Sequence, residues 1–392
     1  MRIGINISYW VPNAMGGTQT YQRQLLEGLA AAGDEHEFIV FLNADGGRQF
    51  QGPSPRFRTY LYPLAGRFRL LRVLWEQVVV PTRLRAMGID VLHSLGYLSP
   101  IAAPGATVAT VHDMIHYIYP QDIEPLKRLG WHILFPLSLR RLDCAIVSAE
   151  SVRRELAQFF PWSAAKTAVV PLAVDPTLFC PGPAVPCAAA HGKPFLLAVS
   201  TISPHKNTVR LVEAFARVRQ ELPALDLQLV LVGLIRPEQG ALVRRTAKAL
   251  GVSNQVILTG RVSDEELIQY YRSAEMLVFP SLYEGFGFPP LEAMSCGCPV
   301  VASNQASMPE VTGNAALLFH PRDVQDMADR ICEMLTSGNK RRQWVERGLE
   351  RAKLYRWEYT VQRTLDVYRQ CLRRRAEMGR KQALHTPGED AC

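Results

Sequence analysis

Residues 279–303 read FPSLYEGFGFPPLEAMSCGCPVVAS, and this stretch decides how the rest of the chain is interpreted. The apolar residues before and at its start predict a strand, which a loop rich in glycine and aromatic residues follows. Pro289 and Pro290 predict the start of a short helix, because the first helical turn does not need a proline N–H. Gly297 is placed to end that helix, and 299–302 predicts the next strand. The stretch therefore predicts a strand–loop–helix–strand unit of an α/β fold.

The loop of this unit has the features of an anion site. The free N–H groups and the dipole at a helix N-terminus favour a phosphate, and Gly285 and Gly287 let the backbone approach a ligand. Glu284 in the loop and Glu292 inside the helix can accept hydrogen bonds from sugar or ribose hydroxyls. The same features occur in α/β proteins where a glutamate only compensates the helix dipole. On the residues alone, both interpretations stay open.

The order of residues in the stretch is more specific. It resembles the retaining nucleotide-sugar glycosyltransferases of the B-type fold, the group 1 or family 4 set, which carry Glu-x7-Glu in the context PS-x-x-EGFG-x-P-x-LEAM-x-x-G-x-PV. The match runs without a gap from Pro280 to Val300. The resemblance implies an α/β fold of two facing Rossmann-like domains (GT-B architecture) with a C-terminal crossover helix. It also implies transfer of a sugar from a nucleoside diphosphate to an acceptor hydroxyl, with the anomeric configuration retained.

Length and composition fit a two-domain globular enzyme. The chain has 392 residues, of which 48% are hydrophobic and 20% charged, and its net charge is +8. This charge favours anionic substrates or an anionic membrane surface, and no motif of the nucleic-acid-binding modules accompanies it. Eight scattered cysteines are typical of a reducing compartment. With no signal peptide and no apolar run of about 20 residues, we expect a cytoplasmic protein, peripheral to the inner face of the cytoplasmic membrane if it binds one.

Composition also predicts the domain boundaries. We expect an N-terminal Rossmann-like domain at 1–178, a linker rich in proline, glycine and alanine at 179–193, and a C-terminal Rossmann-like domain at 194–355. The resemblance assigns the acceptor to the first domain and the nucleotide sugar to the second, and makes 356–380 the crossover helix. The tail at 381–392 is predicted to be disordered.

The first domain offers a glycine pair and a histidine. Gly16 and Gly17 precede a predicted helix, so they fit a phosphate cradle or an ordinary turn, and they do not form the G-x-G-x-x-G dinucleotide fingerprint. His112 follows a predicted strand, at the edge of the sheet where α/β proteins bind ligands, although it can also simply cap the strand. The resemblance places the glycine pair at the donor diphosphate and His112 at the sugar hydroxyls near the reacting carbon.

The second domain offers a lysine just before a predicted helix. An ammonium group there suits a diphosphate, although a lone lysine is more often merely solvated. The resemblance makes Lys206 the phosphate-contacting lysine. Many members carry arginine where this chain has Thr201, so an arginine–lysine clamp is excluded. Some members, notably bacterial mannosyltransferases of the O-antigen type, have threonine at this position as well.

The resemblance completes the predicted site. It places Glu284 by the transferred sugar and Glu292 by the ribose, and Arg261 and Val262 near the nucleotide base. The predicted catalytic residues are His112, Glu284 and Lys206, and the predicted donor-binding residues are Gly16, Gly17, Lys206, Glu284, Phe286, Gly287 and Glu292. No Asp-x-Asp motif is present to hold a divalent ion, so we expect neither a metal nor a cofactor, and Lys206, loop amides and helix dipoles would take the charge of the leaving group.

The donor and the acceptor are predicted from likeness alone. Residues 69–100 and 201–207 are most similar to bacterial mannosyl- or rhamnosyltransferases of surface polysaccharide assembly, such as lipopolysaccharide. GDP-mannose is therefore the predicted donor and a glycan or lipid-linked glycan the predicted acceptor. A UDP- or ADP-sugar donor and a catalytically silent nucleotide-sugar-binding scaffold stay open as alternatives. A nicotinamide dehydrogenase or a glycogen-type phosphorylase is disfavoured, because the dinucleotide fingerprint is missing and the chain is too short.

One further segment has two interpretations. Residues 67–75, RFRLLRVLW, mix arginines with large apolar side chains. The pattern is typical of an amphipathic helix that packs on a sheet, which is the simpler interpretation. The alternative is contact with a membrane or a lipid-linked acceptor. The segment before it, 53–66, is predicted to be irregular.

Overall fold

The structure is a computed structural model that describes residues 1–8, 16–33, 35–47, 50–65, 68–122 and 124–385. Its strands are β1 (Arg2–Asn6), β2 (Glu37–Leu42), β3 (Phe57–Leu61), β4 (Val91–Ser94), β5 (Ala106–Val111), β6 (Cys144–Val147), β7 (Thr167–Val169), β8 (Phe195–Val199), β9 (Gln228–Val232), β10 (Val256–Gly260), β11 (Met276–Phe279), β12 (Val300–Ser303) and β13 (Ala316–Phe319). Its helices are α1 (Gly17–Ala31), α2 (Ala44–Gly47), α3 (Arg69–Ala86), α4 (Ile115–Ile118), α5 (Pro125–Arg141), α6 (Glu150–Phe159), α7 (Thr208–Glu221), α8 (Pro237–Ala249), α9 (Asp264–Ser273), α10 (Phe288–Ser295), α11 (Met308–Thr312), α12 (Val324–Thr336), α13 (Gly338–Ala352) and α14 (Trp357–His385).

The first sheet lies in the N-terminal half. Within the described residues its strand order is β3-β2-β1-β4-β5-β6-β7, and the paired strands are parallel. Parallel strands are covered on both faces, so they read as continuous apolar runs, and β6 is buried at every position. The order reverses between β1 and β4. A reversal of this kind leaves room for a ligand at the carboxyl edge of a parallel sheet.

The second sheet lies in the C-terminal half and is also parallel. Its order in the described part of the chain is β10-β9-β8-β11-β12-β13, so the reversal falls between β8 and β11. The loop after β8 carries Lys206 and the loop after β11 carries Glu284. Because the two loops leave a reversal point in opposite directions, a crevice forms between them. The fold is the expected pair of parallel α/β domains.

The last helix returns to the first domain. α14 packs against α1, and its Trp357 and Tyr368 belong to the same buried cluster as the first-domain core. The hydroxyl of Tyr368 lies 2.6 Å from Nδ1 of His93, whose Nε2 lies 2.9 Å from Oγ1 of Thr110. Burial lowers the pKa of His93 to about 3, so this histidine is a neutral structural residue. α14 thereby ties the end of the chain to β4 and β5.

Two local predictions are wrong. The segment 53–66 is not wholly irregular, because it contains β3, an edge strand whose Phe57 stacks on Phe38 with ring centroids 4.4 Å apart. Of the other β3 side chains only Tyr60 is partly buried, so the strand shows no continuous apolar run in the sequence. The predicted disorder from 381 is also wrong for its first part. α14 continues to His385, since 381–385 holds mostly good helix formers and no proline. Residues 386–392 of that predicted tail lie outside the described residues.

Candidate functional site

A cleft of about 560 Å³ opens between the two domains. Its first wall comes from the N-terminus of α1 and the loop after β5, and its second wall from the loops after β8 and β11. All of the sequence-predicted site residues line it, namely Gly16, Gly17, His112, Lys206, Glu284, Phe286, Gly287 and Glu292. The fold therefore brings them to one place, while the role of each stays a prediction.

The loop after β11 depends on two glycines. Gly287 has φ 94° and caps α10, and a Cβ built on it would lie 2.2 Å from the terminal methyl of Met308. Gly285 meets the other domain, because a Cβ there would lie 1.9 Å from the carbonyl oxygen of His112. The main chain of this loop thus packs directly on the strand end that carries His112.

Lys206 and Glu284 form an ion pair inside the cleft. The Nζ atom of Lys206 lies 2.5 Å from Oε1 of Glu284, and the two side chains are 18% and 12% exposed. Asn207 holds their loops together, because its amide donates to the carbonyls of Pro280 (3.1 Å) and Pro321 (2.6 Å). A bound diphosphate would compete with Glu284 for the ammonium group, since both are anionic oxygen acceptors.

Glu292 lies on α10, deeper in the cleft. The hydroxyl of Tyr271 donates to its Oε2 atom at 2.8 Å. Burial raises the pKa of this carboxyl to about 7, because the low-polarity surroundings disfavour the charged form. Around neutral pH, Glu292 is therefore part ionised, and a hydroxyl donor that reaches it would stabilise the carboxylate.

His112 is fixed by a carbonyl of the first domain. Its Nε2 atom lies 2.9 Å from the carbonyl oxygen of Leu95. A carbonyl can only accept, so Nε2 carries the hydrogen and the neutral ring keeps a lone pair on Nδ1. Burial lowers the pKa of His112, which favours this neutral form. The rings of Tyr21 and Tyr97 hold the imidazole edge-on, with centroids 5.2 and 5.6 Å away. His112 is thus set to accept a hydrogen bond through Nδ1.

The walls of the cleft carry both cations and carboxylates. The cations are Arg23, Lys206 and Arg261, and the carboxylates are Asp113, Asp264, Glu284 and Glu292. Arg261 and Val262, the predicted base contacts, both line the cleft, as does Thr201. The sequence analysis did not single out Arg23, which looks like any exposed residue of an amphipathic helix. The mixture suits a ligand that has both an anionic part and several hydroxyl groups.

A tyrosine joins the two domains beside the cleft. The hydroxyl of Tyr283 accepts the N–H of Met114 at 2.6 Å and donates to Oε2 of Glu155 at 2.7 Å. Burial raises the pKa of Glu155 to about 7. Ser148 adds a hydrogen bond from its hydroxyl to the carbonyl of Gly285 at 3.1 Å. Sequence reasoning missed these residues, because Glu155 stands among the charges of an ordinary helix and Tyr283 is one aromatic of several in its loop.

Two more polar contacts cross between the domains. The carboxylate of Glu310 accepts the N–H groups of Glu150 (2.8 Å) and Ser151 (3.2 Å) at the start of α6. A second-domain side chain thus supplies the anionic cap of a first-domain helix. Nδ1 of His205 lies 3.2 Å from Oδ2 of Asp122. Together with Tyr283, these contacts hold the cleft in a closed arrangement.

Two family models match the chain, one in each of its two domains. Residues 15–178 match the family model "Glycosyltransferase Family 4", and residues 187–351 match "Glycosyl transferases group 1". The chain is 30% identical over 274 residues to O-antigen chain mannosyltransferase B of Escherichia coli. The aligned region covers 67% of this chain and 70% of the relative.

Other similar proteins extend the comparison. The serotype-specific mannosyltransferase WbdA of Escherichia coli is 35% identical over 190 residues, which are 48% of this chain and 23% of WbdA. The chain therefore spans less than a quarter of that relative's length. A solved sucrose-phosphate synthase from Thermosynechococcus elongatus superposes with a TM-score of 0.74 at 24% identity, over 94% of this chain and 98% of that one. At this sequence identity, the superposition shows a shared fold and nothing further.

Proposed function

The chain belongs to the group 1 and family 4 glycosyltransferases, and from this premise we propose that it transfers a hexose from a nucleoside diphosphate to a glycan or lipid-linked glycan acceptor in surface polysaccharide synthesis. One observation carries the proposal: a lysine, two glutamates and a histidine from three separate parts of the chain converge on one cleft between the two domains, namely Lys206, Glu284, Glu292 and His112.

The diphosphate would lie between Lys206 and the N-termini of two helices. α1 starts at Gly17 on one wall and α10 starts behind Gly287 on the other, so the positive end of each helix lies at the cleft. In α10, Pro289 and Pro290 have no N–H, so Gly287 and Phe288 would supply the backbone donors there. As the phosphate arrives, the ammonium group of Lys206 would exchange Glu284 for phosphate oxygens. Glu284 would then be free to accept hydrogen bonds from the sugar that is transferred.

The nucleoside and the sugar would occupy the two ends of the cleft. Glu292 would accept the ribose hydroxyls, with Arg261 and Val262 near the base. At the other end, Nδ1 of His112 would accept a hydrogen bond from a sugar hydroxyl near the reacting carbon. This geometry supports an acceptor role for the neutral histidine, and not the donor role that a protonated ring would have.

We propose a front-side displacement for the chemical step. The bond from the anomeric carbon to the diphosphate breaks, the acceptor oxygen bonds to the same face of that carbon, and the acceptor proton passes to the leaving phosphate oxygen. The anomeric configuration is thereby retained. Lys206 and the helix N-termini would stabilise the charge on the leaving group without a metal ion.

GDP-mannose is the proposed donor. Its support is that two similar proteins of Escherichia coli are named mannosyltransferases of bacterial surface antigens. Fold and family leave the sugar open, so a UDP- or ADP-sugar donor is the first alternative. The second alternative is a silent nucleotide-sugar-binding scaffold, which would bind the same ligand without turnover.

The test is thermal unfolding with GDP, UDP and ADP and with their mannose or glucose conjugates, all in the presence of a chelator. A ligand at 100 times its Kd stabilises the folded state by about 2.7 kcal/mol. Selective stabilisation by GDP and GDP-mannose, followed by release of GDP when glycan acceptors are added, is the expected result. Preference for UDP or ADP would assign a UDP- or ADP-sugar as the donor instead of GDP-mannose. Binding without release of GDP would favour the catalytically silent scaffold. A requirement for an added divalent ion would contradict metal independence.

We also propose that the protein works at a membrane surface, in the cytoplasm. No helix within the described ranges is both long and apolar enough to cross a bilayer. The proposal rests instead on the lipid-linked class of acceptor and on basic, apolar segments of the first domain. The test is whether the protein floats with vesicles in a density gradient.

A further inference from the structure

Two helices of the first domain expose apolar side chains at helical spacing. Their six residues are between 44% and 66% exposed, and we call them the α3–α5 face: Leu71, Leu74, Val78, Leu129, Ile133 and Leu137. In α3 they recur at i, i+3 and i+7, and in α5 at i, i+4 and i+8. Each set therefore forms one stripe along its helix. Sequence analysis considered only the segment that includes the start of α3, and α5 adds a second stripe.

The two stripes border the same loop. The side chain of Gln77 in α3 accepts the N–H of Ile101 at 2.9 Å. The hydroxyl of Ser138 in α5 accepts the N–H of Ser99 at 2.8 Å and donates to its carbonyl at 2.9 Å. Both helices thus hold the short segment from Ser99 to Ile101 between them. Val78 is next to Gln77 and Leu137 is next to Ser138 in the sequence, so each stripe reaches this segment.

The exposed charges that α3 and α5 themselves carry are of one sign. α3 and α5 contain eight lysines and arginines, including the exposed Arg83, Arg85, Arg128, Arg140 and Arg141. Their one carboxylate, Glu76, is buried and accepts hydrogen bonds from Asn6 at 2.7 Å and Ser8 at 3.0 Å. Exposed apolar residues flanked by arginines match the interface of an anionic bilayer, where the apolar groups insert and the cations meet lipid headgroups. A second copy of the chain fits less well, because a two-fold contact would set arginines against arginines.

A row of rings connects this face to the cleft. Trp131 lies on α5 between Leu129 and Ile133, and its ring centroid is 4.9 Å from that of Tyr97. Tyr97 in turn lies 5.6 Å from the ring of His112. A surface that rests on α5 is therefore two ring contacts from the predicted catalytic histidine.

We propose that the α3–α5 face binds the surface of an anionic lipid bilayer and holds the mouth of the cleft beside it. Leucine, isoleucine and valine side chains would enter the headgroup region while the arginines contact anionic lipids. A lipid-linked acceptor could then reach His112 without leaving the bilayer. This last step rests on the proposed function, whereas the binding of lipid does not.

The test is flotation of the full chain with phosphatidylcholine vesicles that contain or lack phosphatidylglycerol. Wild type should bind the vesicles with phosphatidylglycerol, and binding should weaken as salt rises. The double variant Leu129→Glu/Ile133→Glu should bind at least about tenfold more weakly, because two carboxylates would enter an anionic interface. Leu354→Glu is the matched control, since Leu354 is 66% exposed but lies outside the face, and it should bind like wild type.

Equal vesicle binding by wild type and the double variant would overturn the proposal, as would the absence of binding in wild type. A wild-type dimer that the double variant abolishes, seen by sedimentation velocity without vesicles, would assign the face to a second copy instead. Stabilisation by nucleotides separates the two proposals. Nucleotide binding without vesicle binding overturns the membrane face and the proposed membrane location but not the proposed sugar transfer, and vesicle binding without nucleotide binding overturns only the proposed sugar transfer.

Discussion

The ammonium group of Lys206 lies 2.5 Å from the carboxylate of Glu284, between the loops that follow β8 and β11. Each charge balances the other while both are shielded from solvent. Taking either partner away leaves a half-buried charge without its counterion, so variants of the two residues affect stability as well as activity. A single substitution at this pair therefore cannot separate the two effects.

The first prediction uses a double variant to separate them. Lys206→Met should lower stability by about 1–3 kcal/mol, because Glu284 loses its partner. It should also lower kcat by about 100-fold or more, because the leaving diphosphate loses a cation. Adding Glu284→Gln should restore the melting temperature but not the activity. If the double variant recovers turnover, Lys206 serves only to neutralise Glu284.

The second prediction concerns closure of the cleft. Gly285→Ala would place a methyl group against the carbonyl of His112, so the domains could not approach as closely as they do. Binding of the nucleotide should persist, since Lys206 and Glu292 belong to the second domain, whereas kcat should fall. Small-angle scattering should show a larger radius of gyration. The control is Gly338→Ala, where an added Cβ meets nothing within 4 Å. An unchanged radius and kcat in Gly285→Ala would refute the close contact.

The third prediction concerns the pH dependence at Glu292. The pKa of this carboxyl is raised to about 7 in the folded protein. The folded state then holds its proton more tightly than the unfolded state, so this group makes stability fall as pH rises through the range between the ordinary carboxyl pKa and 7. Glu292→Gln removes that loss and still accepts from Tyr271. It should stabilise the protein by about 3 kcal/mol at pH 8 and by less than about 1 kcal/mol at pH 5.

The same variant should bind the nucleotide more weakly. A neutral amide accepts ribose hydroxyls less strongly than a carboxylate does. Thermal unfolding at both pH values, with and without GDP, checks both parts. A gain in stability of equal size at pH 5 and pH 8 would show that Glu292 does not titrate as assigned.

The fourth prediction concerns the hydroxyl of Tyr283. Tyr283→Phe leaves the N–H of Met114 and the carboxyl of Glu155 without this partner, which should cost about 1–3 kcal/mol. The hydrogen bond from Tyr283 lowers the pKa of Glu155, so its loss should raise that pKa further above about 7. Transfer activity should fall mainly in kcat, because the two domains lose a contact beside the cleft. Tyr359→Phe, at an exposed tyrosine, is the control. A melting temperature unchanged from wild type would contradict the role assigned to this hydroxyl.

The fold could be predicted because its signals are local. Buried parallel strands such as β11 read as apolar runs, and Gly287 and Pro289 mark a loop and a helix start with strict backbone needs. The strand β3 was missed for the complementary reason. On this edge strand only Phe57 is fully buried and Tyr60 is partly buried, which gives no apolar run.

Residues of the site could be predicted only where they belong to a motif that is visible in the sequence. Glu284 and Glu292 stand in one continuous stretch, so their neighbourhood is visible in the sequence. The pairs Tyr283–Glu155 and Glu310–Glu150 join different domains, and each depends on how the two domains sit together. No local periodicity or capping rule encodes that arrangement, so these residues came from the structure.

The return of α14 to the first domain has a consequence for synthesis on the ribosome. The first domain emerges before the second, yet Tyr368, the buried partner of His93, follows both sheets along the chain. Until α14 is made, the strand ends that carry His93 and Thr110 lack the helix that covers them. The second domain can therefore finish its own sheet before the first domain is complete. A nascent chain that stalls within α14 would expose an unfinished first-domain core to chaperones and proteases.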